Sequence, residues 1–259
     1  MVRVHALRRR PALVSSPQPH RVIAVAVLAL TIALTALPAT LTAQIRGQPP
    51  TQRSTTGGST GWWFSGGASA LTLGDISDGR SNTRWQFGSD PLWLFRGTLE
   101  KALDDATTLG VAAAFGDVDV NVSQLAVPLD PSPSDPGLGA CATSCEARTQ
   151  VWTLMGQFRS GGATQGFGTL FAAQGGVTAF RNLRELNGGT TIGDGGLRTD
   201  ISGTLGAGVS YTLSRGTVIE LVQDFGMGFH SAENLPPSVG RTWRSRVTRA
   251  SLRFQFGGR

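Results

Sequence analysis

Past Leu37 the chain lacks any apolar run long enough to cross a membrane as a helix. If the mature chain enters a bilayer, it must do so as a closed β-barrel, because only that alternative satisfies every backbone polar group in lipid. Lysine is nearly missing: Lys101 stands alone beside many arginines, and Tyr211 is the single tyrosine. There are two cysteines, Cys141 and Cys145, with no second cysteine pair or nearby histidine to complete a zinc site. A phosphate-binding loop, a metal-ligand cluster and a Gly-x-Ser-x-Gly elbow are also wanting. Nothing in the residues therefore points to an enzyme, and no cofactor, catalytic residue or metal is expected.

The first 43 residues read as an export signal. Arg3, Arg8, Arg9, Arg10 and Arg21 form a basic leader without an acidic residue, followed by the apolar stretch Val22 to Leu37 and a small-residue exit at Thr42-Ala43. Positive flank, short apolar core and small exit are the three parts of a secretory signal peptide. The apolar stretch is 16 residues, short of the ~20 that a spanning helix needs. A retained membrane anchor is the alternative. Of the formal charge of +6, the leader contributes five arginines, which leaves the mature chain near +1. The basic isoelectric point is thus no argument for a nucleic-acid partner. Residues 44–60 read as a polar linker, and 61–259 as the folded domain.

That domain is built on period-two alternation, the mark of strands with unlike faces. From Ile201 to Leu213 one face carries Ile201, Leu205, Val209, Tyr211 and Leu213, and the other Ser202, Thr204, Ser210, Thr212 and glycines. Similar segments lie at about 61–73, 91–103, 107–118, 147–159, 167–181, 217–231 and 244–256. They exceed the ~5–6 residues usual for soluble strands and suit the ~9–11 of a tilted membrane strand. Three connections are short, at Asp104 to Ala106, Ser160 to Thr164 and Ser214 to Gly216. Four are long, at about 74–90, 119–146, 182–198 and 232–243, and rich in Gly, Pro, Asp, Asn and Ser. Short and long alternate along the chain, as periplasmic turns and outer loops do in outer-membrane barrels. The expected fold is an all-β, antiparallel, up-and-down transmembrane barrel of about eight strands. A soluble periplasmic or secreted β-sandwich is the alternative. The small polar face and the aromatics near strand ends (Trp62 or Trp63, Trp93, Phe158, Phe229, Phe256) favour the barrel.

Over about 61–259 this pattern resembles the small eight-stranded outer-membrane barrels of the OmpA, OmpX and OmpW kind. The segment Leu252-Arg253-Phe254-Gln255-Phe256 resembles the C-terminal signal read by the barrel-assembly machinery, although Gly257-Gly258-Arg259 follow it. The resemblance implies a place in the bacterial outer membrane, contact with its lipid, and dependence on that machinery during biogenesis.

Period-two counting puts six charges on the inward face: Arg96, Glu100, Glu220, Asp224, Arg249 and Arg253. Glu220 is expected level with Arg253, and Asp224 with Arg249. Either they form a salt-bridge network plugging the narrow lumen, or they line an ion path. Cys141 and Cys145, in an exported protein, are expected to form a disulfide in the longest loop. Such a short ring is worth roughly 2 kcal/mol by chain entropy. Some outer-membrane barrels are lipid A deacylases with a His-x-Ser pair on one strand face. Here His230 and Ser231 are adjacent, so they point to opposite faces. Two function classes stay open: a structural or interaction role through the outer loops, and a narrow conduit for small or hydrophobic solutes. The residues do not name an extracellular partner.

Overall fold

The computed structural model describes residues 61–125, 144–162, 165–235 and 237–257. The signal, the linker and Cys141 lie outside these residues.

Ten strands occur among the described residues: β1 (Trp62–Leu73), β2 (Ile76–Asp78), β3 (Thr83–Gln86), β4 (Leu92–Ala102), β5 (Thr107–Gln124), β6 (Ser144–Gly161), β7 (Gly166–Glu185), β8 (Arg198–Ser214), β9 (Thr217–Phe229) and β10 (Thr242–Phe256). β1 pairs with both β4 and β10, and β4 through β10 pair in sequence order, all antiparallel. The eight long strands thus close on themselves, which abolishes sheet edges and excludes the sandwich. Turns between strands sit at the end that holds Trp62 and Phe256, and the long connections at the other. At the β8–β9 turn, Gly216 takes a φ of 86°, a left-handed conformation that a side chain would strain.

Outward positions explain why the barrel belongs in lipid. Phe95, Phe115 and Trp152, on neighbouring strands β4, β5 and β6, form one aromatic row with ring centroids 5.8 and 5.2 Å apart. Toward the turns, Trp62, Phe64, Phe254 and Phe256 make a second row on β1 and β10, continued by Phe167 and Tyr211 at 4.6 Å. Between the rows the outer surface carries exposed leucine, isoleucine and valine such as Val111, Leu205 and Leu221. An apolar band flanked by aromatic girdles is the outer surface of a membrane barrel. Gln223 is a polar residue in this band. Its amide nitrogen donates to the Val247 carbonyl at 3.0 Å, and its oxygen accepts from the Thr248 hydroxyl at 2.7 Å, so this side-chain amide is hydrogen-bonded on the barrel wall rather than left bare.

Above the upper row the polarity inverts without a break in strand phase. On β5, Asp117, Asp119 and Asn121 now face outward, while Val118, Val120 and Val122 are buried inside. Arg148 of β6 pairs with Asp119 at 2.7 Å on the outside. Here the wall stands in water and behaves as a soluble sheet, apolar within and charged without. This corrects the sequence reading of the loops. β5 and β6 continue well into 119–146, and β7 runs to Glu185, because alternation persists after the faces exchange roles. The first long connection also contains the β2–β3 hairpin, and β3 pairs with the upper part of β5.

Candidate functional site

Inside the wall the lumen has three levels. Nearest the turns lies a ring of buried charge. Arg253, 2 % exposed, donates to Glu100 at 2.6 Å and to Glu220 at 3.1 Å. Arg159 contacts Glu220 at 2.6 Å from β6. Glu100 also accepts from Gln157 at 2.9 Å, from Thr98 at 3.1 Å and from the Thr108 hydroxyl. The Arg253 guanidinium lies 4.6 Å from the centroid of the Trp63 ring, a cation–π placement. Above this ring Arg249 grips Asp224 through two bonds of 2.6 and 3.2 Å. A Cβ at Gly206 would overlap the Asp224 carboxylate, so a bare backbone makes the room that carboxylate occupies.

The six residues drawn from the sequence all reach the lumen, with two differences of detail. Glu220 is paired across strands with Ser251 and Asp224 with Val247, so each arginine meets its carboxylate on the diagonal rather than level with it. Arg96 meets no carboxylate. Its Nη2 donates to the side-chain oxygens of Gln157 at 2.6 Å and Gln174 at 2.9 Å. Sequence reasoning missed Arg159, Gln157 and Gln174. Odd-numbered positions of β6 face inward, and extending the count from Val151 to Arg159 would have found two of the three.

The second level is apolar. Leu71, Leu73, Leu94, Val118, Val122, Val151, Phe180 and Trp243 belong to one buried cluster that fills the barrel at the loop end. β2, β3 and the loop after β7 add Ile76, Trp85 and Ile192 to it.

The third level is a buried polar cluster against that plug, assembled from β2, β8 and the residues just past β9. Asp200 accepts from the Trp243 indole at 2.6 Å and bonds His230 Nδ1 at 2.8 Å. His230 Nε2 lies 3.5 Å from Asp78, which Arg198 holds at 3.1 Å and Ser81 at 2.6 Å. Arg198 continues to Asp194 at 2.7 Å, and Arg80 reaches Asp194 at 3.3 Å and Glu233 at 3.7 Å. Three outer connections are thus tied to one another. Burial by itself would lower the His230 pKa, but Asp200 and Asp78 outweigh it and raise the imidazole to about 9. Asp78, despite burial, is held well below the usual carboxylate range by His230, Ser81 and Arg198. None of this cluster was drawn from the sequence as a site. Its members are far apart in the chain, so no local pattern around His230 marks them. Ser231 is exposed and accepts from the Glu233 backbone N–H at 3.3 Å, while His230 is turned inward.

Cys145 lies at the loop end of β6 and packs against the apolar cluster. Its expected partner Cys141 is outside the described residues. No cluster of three or more His, Cys, Asp or Glu side chains that could hold a metal occurs among the described residues.

The chain is a transmembrane barrel of the outer-membrane type. No protein-family model matches it, and no curated protein matches its sequence. Among solved structures it is similar in architecture to Neisserial surface protein A, at 11 % identity over 75 % of this chain and 97 % of that one, with a TM-score of 0.46. It is similar to the outer membrane protein OprG of Pseudomonas aeruginosa, at 15 % identity over 77 % and 98 %, TM-score 0.38. The outer membrane protein AlkL, solved in lipid bilayers, matches at 12 % identity over 81 % and 96 %, TM-score 0.38.

Proposed function

We propose that this outer-membrane barrel is a sealed anchor whose outer connections do its work, in a structural or binding role without catalysis. The observation that carries this reading is closure of the lumen at two separate levels. The charged ring of Arg253, Glu100, Glu220 and Arg159 spans the turn end, and the apolar cluster around Trp243, Phe180 and Val122 fills the loop end. An eight-stranded barrel has an interior just wide enough for side chains to fill. A solute would have to break buried ion pairs and then displace a packed core. A second feature favours the loops as the working surface. The cluster of Asp78, Arg198, Asp200 and His230, with Asp194 bound to Arg198, fixes three connections relative to one another, and pre-ordering lowers the entropic cost of binding. The working parts are those connections, and outer-membrane lipid is the solvent of the band below.

Purified barrel in planar bilayers tests this. No stable conductance steps are expected. Steps that vanish when the charged ring is altered would instead favour the narrow conduit for small solutes.

A further inference from the structure

The charged ring and the Asp224–Arg249 pair leave one charge unaccounted for. Among the described residues below the apolar plug, four guanidinium groups (Arg96, Arg159, Arg249, Arg253) face three carboxylates (Glu100, Glu220, Asp224). Each carboxylate is already in contact with an arginine other than Arg96. Arg96 has only two neutral glutamine oxygens. An unneutralised charge in a poorly solvated lumen is unfavourable and calls for a counter-charge.

The same place has room and unused donors. A cavity of about 50 Å³ lies between the ring and the plug, with Arg96, Ser69, Thr204, Ser202 and Gln174 on its polar side, Trp243 among its apolar walls, and Asp224 also lining it, its two carboxylate oxygens engaged by Arg249. Three buried polar atoms lack a hydrogen-bond partner here: Arg96 Nε, Ser69 Oγ and Thr204 Oγ1. Ser69 is 2 % exposed. One N–H and two hydroxyls are therefore free to donate into one cavity beside one excess positive charge. A water occupies roughly 10–15 Å³ on this measure, so a small ion and one or two waters fit, and an organic anion does not.

We propose that the mid-lumen of this barrel is a binding site for a monovalent halide ion, chloride in the cell, held by Arg96, Ser69 and Thr204. The ion neutralises Arg96 and satisfies the three unused donors. It is a structural counter-ion and passes no current through the sealed barrel, so the site stands or falls separately from the conductance reading.

Bromide serves as the probe. Crystals of the folded barrel grown in bromide are expected to show an anomalous peak in the cavity, within hydrogen-bond reach of Arg96 Nε. Folded barrel in detergent is also expected to unfold at a higher urea midpoint in bromide or chloride than in gluconate of equal ionic strength. The rise should follow halide concentration as ligand linkage requires. A general screening effect on surface ion pairs would appear equally in gluconate. Arg96→Met should abolish the halide dependence. Should that variant fail to fold, Ser69→Ala with Thr204→Val should weaken halide binding by about tenfold, the effect of losing hydrogen bonds to a charged ligand. An empty or water-only cavity in bromide crystals, a midpoint indifferent to halide, or a halide effect unchanged in the serine–threonine double variant overturns the proposal.

Discussion

Replacing Arg253 by alanine is the sharpest perturbation of the lumen, because this one guanidinium bridges two carboxylates of unequal need. Glu220 keeps Arg159 at 2.6 Å when Arg253 is removed. Glu100 keeps hydrogen bonds from Gln157, Thr98 and Thr108, but among the described residues Arg253 is its only cation within ion-pair distance. The variant therefore leaves one buried carboxylate without a counter-charge, a loss of about 3–5 kcal/mol. The lost cation–π contact with Trp63 adds about 0.5–2 kcal/mol. The two couplings should differ. We expect about 2–3 kcal/mol between Glu100 and Arg253, and about 1 kcal/mol between Glu220 and Arg253, where Arg159 takes over. The assay is reversible urea unfolding from lipid vesicles, followed by tryptophan fluorescence and by the gel shift between folded and boiled barrel. Glu100→Gln, Glu220→Gln, Arg253→Ala and the two double variants complete both cycles. A coupling near zero for Glu100, or a larger coupling for Glu220 than for Glu100, refutes the arrangement of the ring.

The loop-end cluster predicts a pH dependence with a definite sign. His230 is raised from 6.5 to about 9, so its contribution is complete below about pH 6.5 and is lost as pH rises through about 9. The span is worth about 3 kcal/mol at most. Unfolding midpoints taken from pH 6 to pH 10 should fall for the native chain and stay flat, from a lower start, for His230→Gln. A Cβ at Gly228 would overlap the Trp243 indole, so Gly228→Ala should destabilise the barrel by about 1–3 kcal/mol. A lost Trp243–Asp200 bond would show as an altered tryptophan spectrum. For Cys141 and Cys145, thiol reagents applied to intact, unreduced cells are expected to label neither residue, and ready labelling would exclude the disulfide.

The architecture was legible in the sequence because its causes are local. Strand faces follow from period two, hairpin ends from turn residues such as Ser214-Arg215-Gly216, and the sidedness from alternating short and long connections. The inward facing of Arg96, Glu100, Glu220, Asp224, Arg249 and Arg253 is local in the same sense. The inversion of faces that begins at Asp117 is also written there, yet from Asp119 to Val122 it reads as loop, since a strand leaving the membrane keeps its phase and exchanges its chemistry. What only the tertiary structure decided is which groups meet across the lumen. Arg253 reaches Glu100 over a sequence separation of 153. His230 sits between Asp200 and Asp78, which come from β8 and β2. Such contacts depend on the register between neighbouring strands and on closure of the sheet by β1 and β10. Both are set by the whole circumference, so no stretch of chain carries them. The plug has the same origin, because Trp85, Phe180 and Trp243 become a core only when the closed wall brings three distant segments to one height.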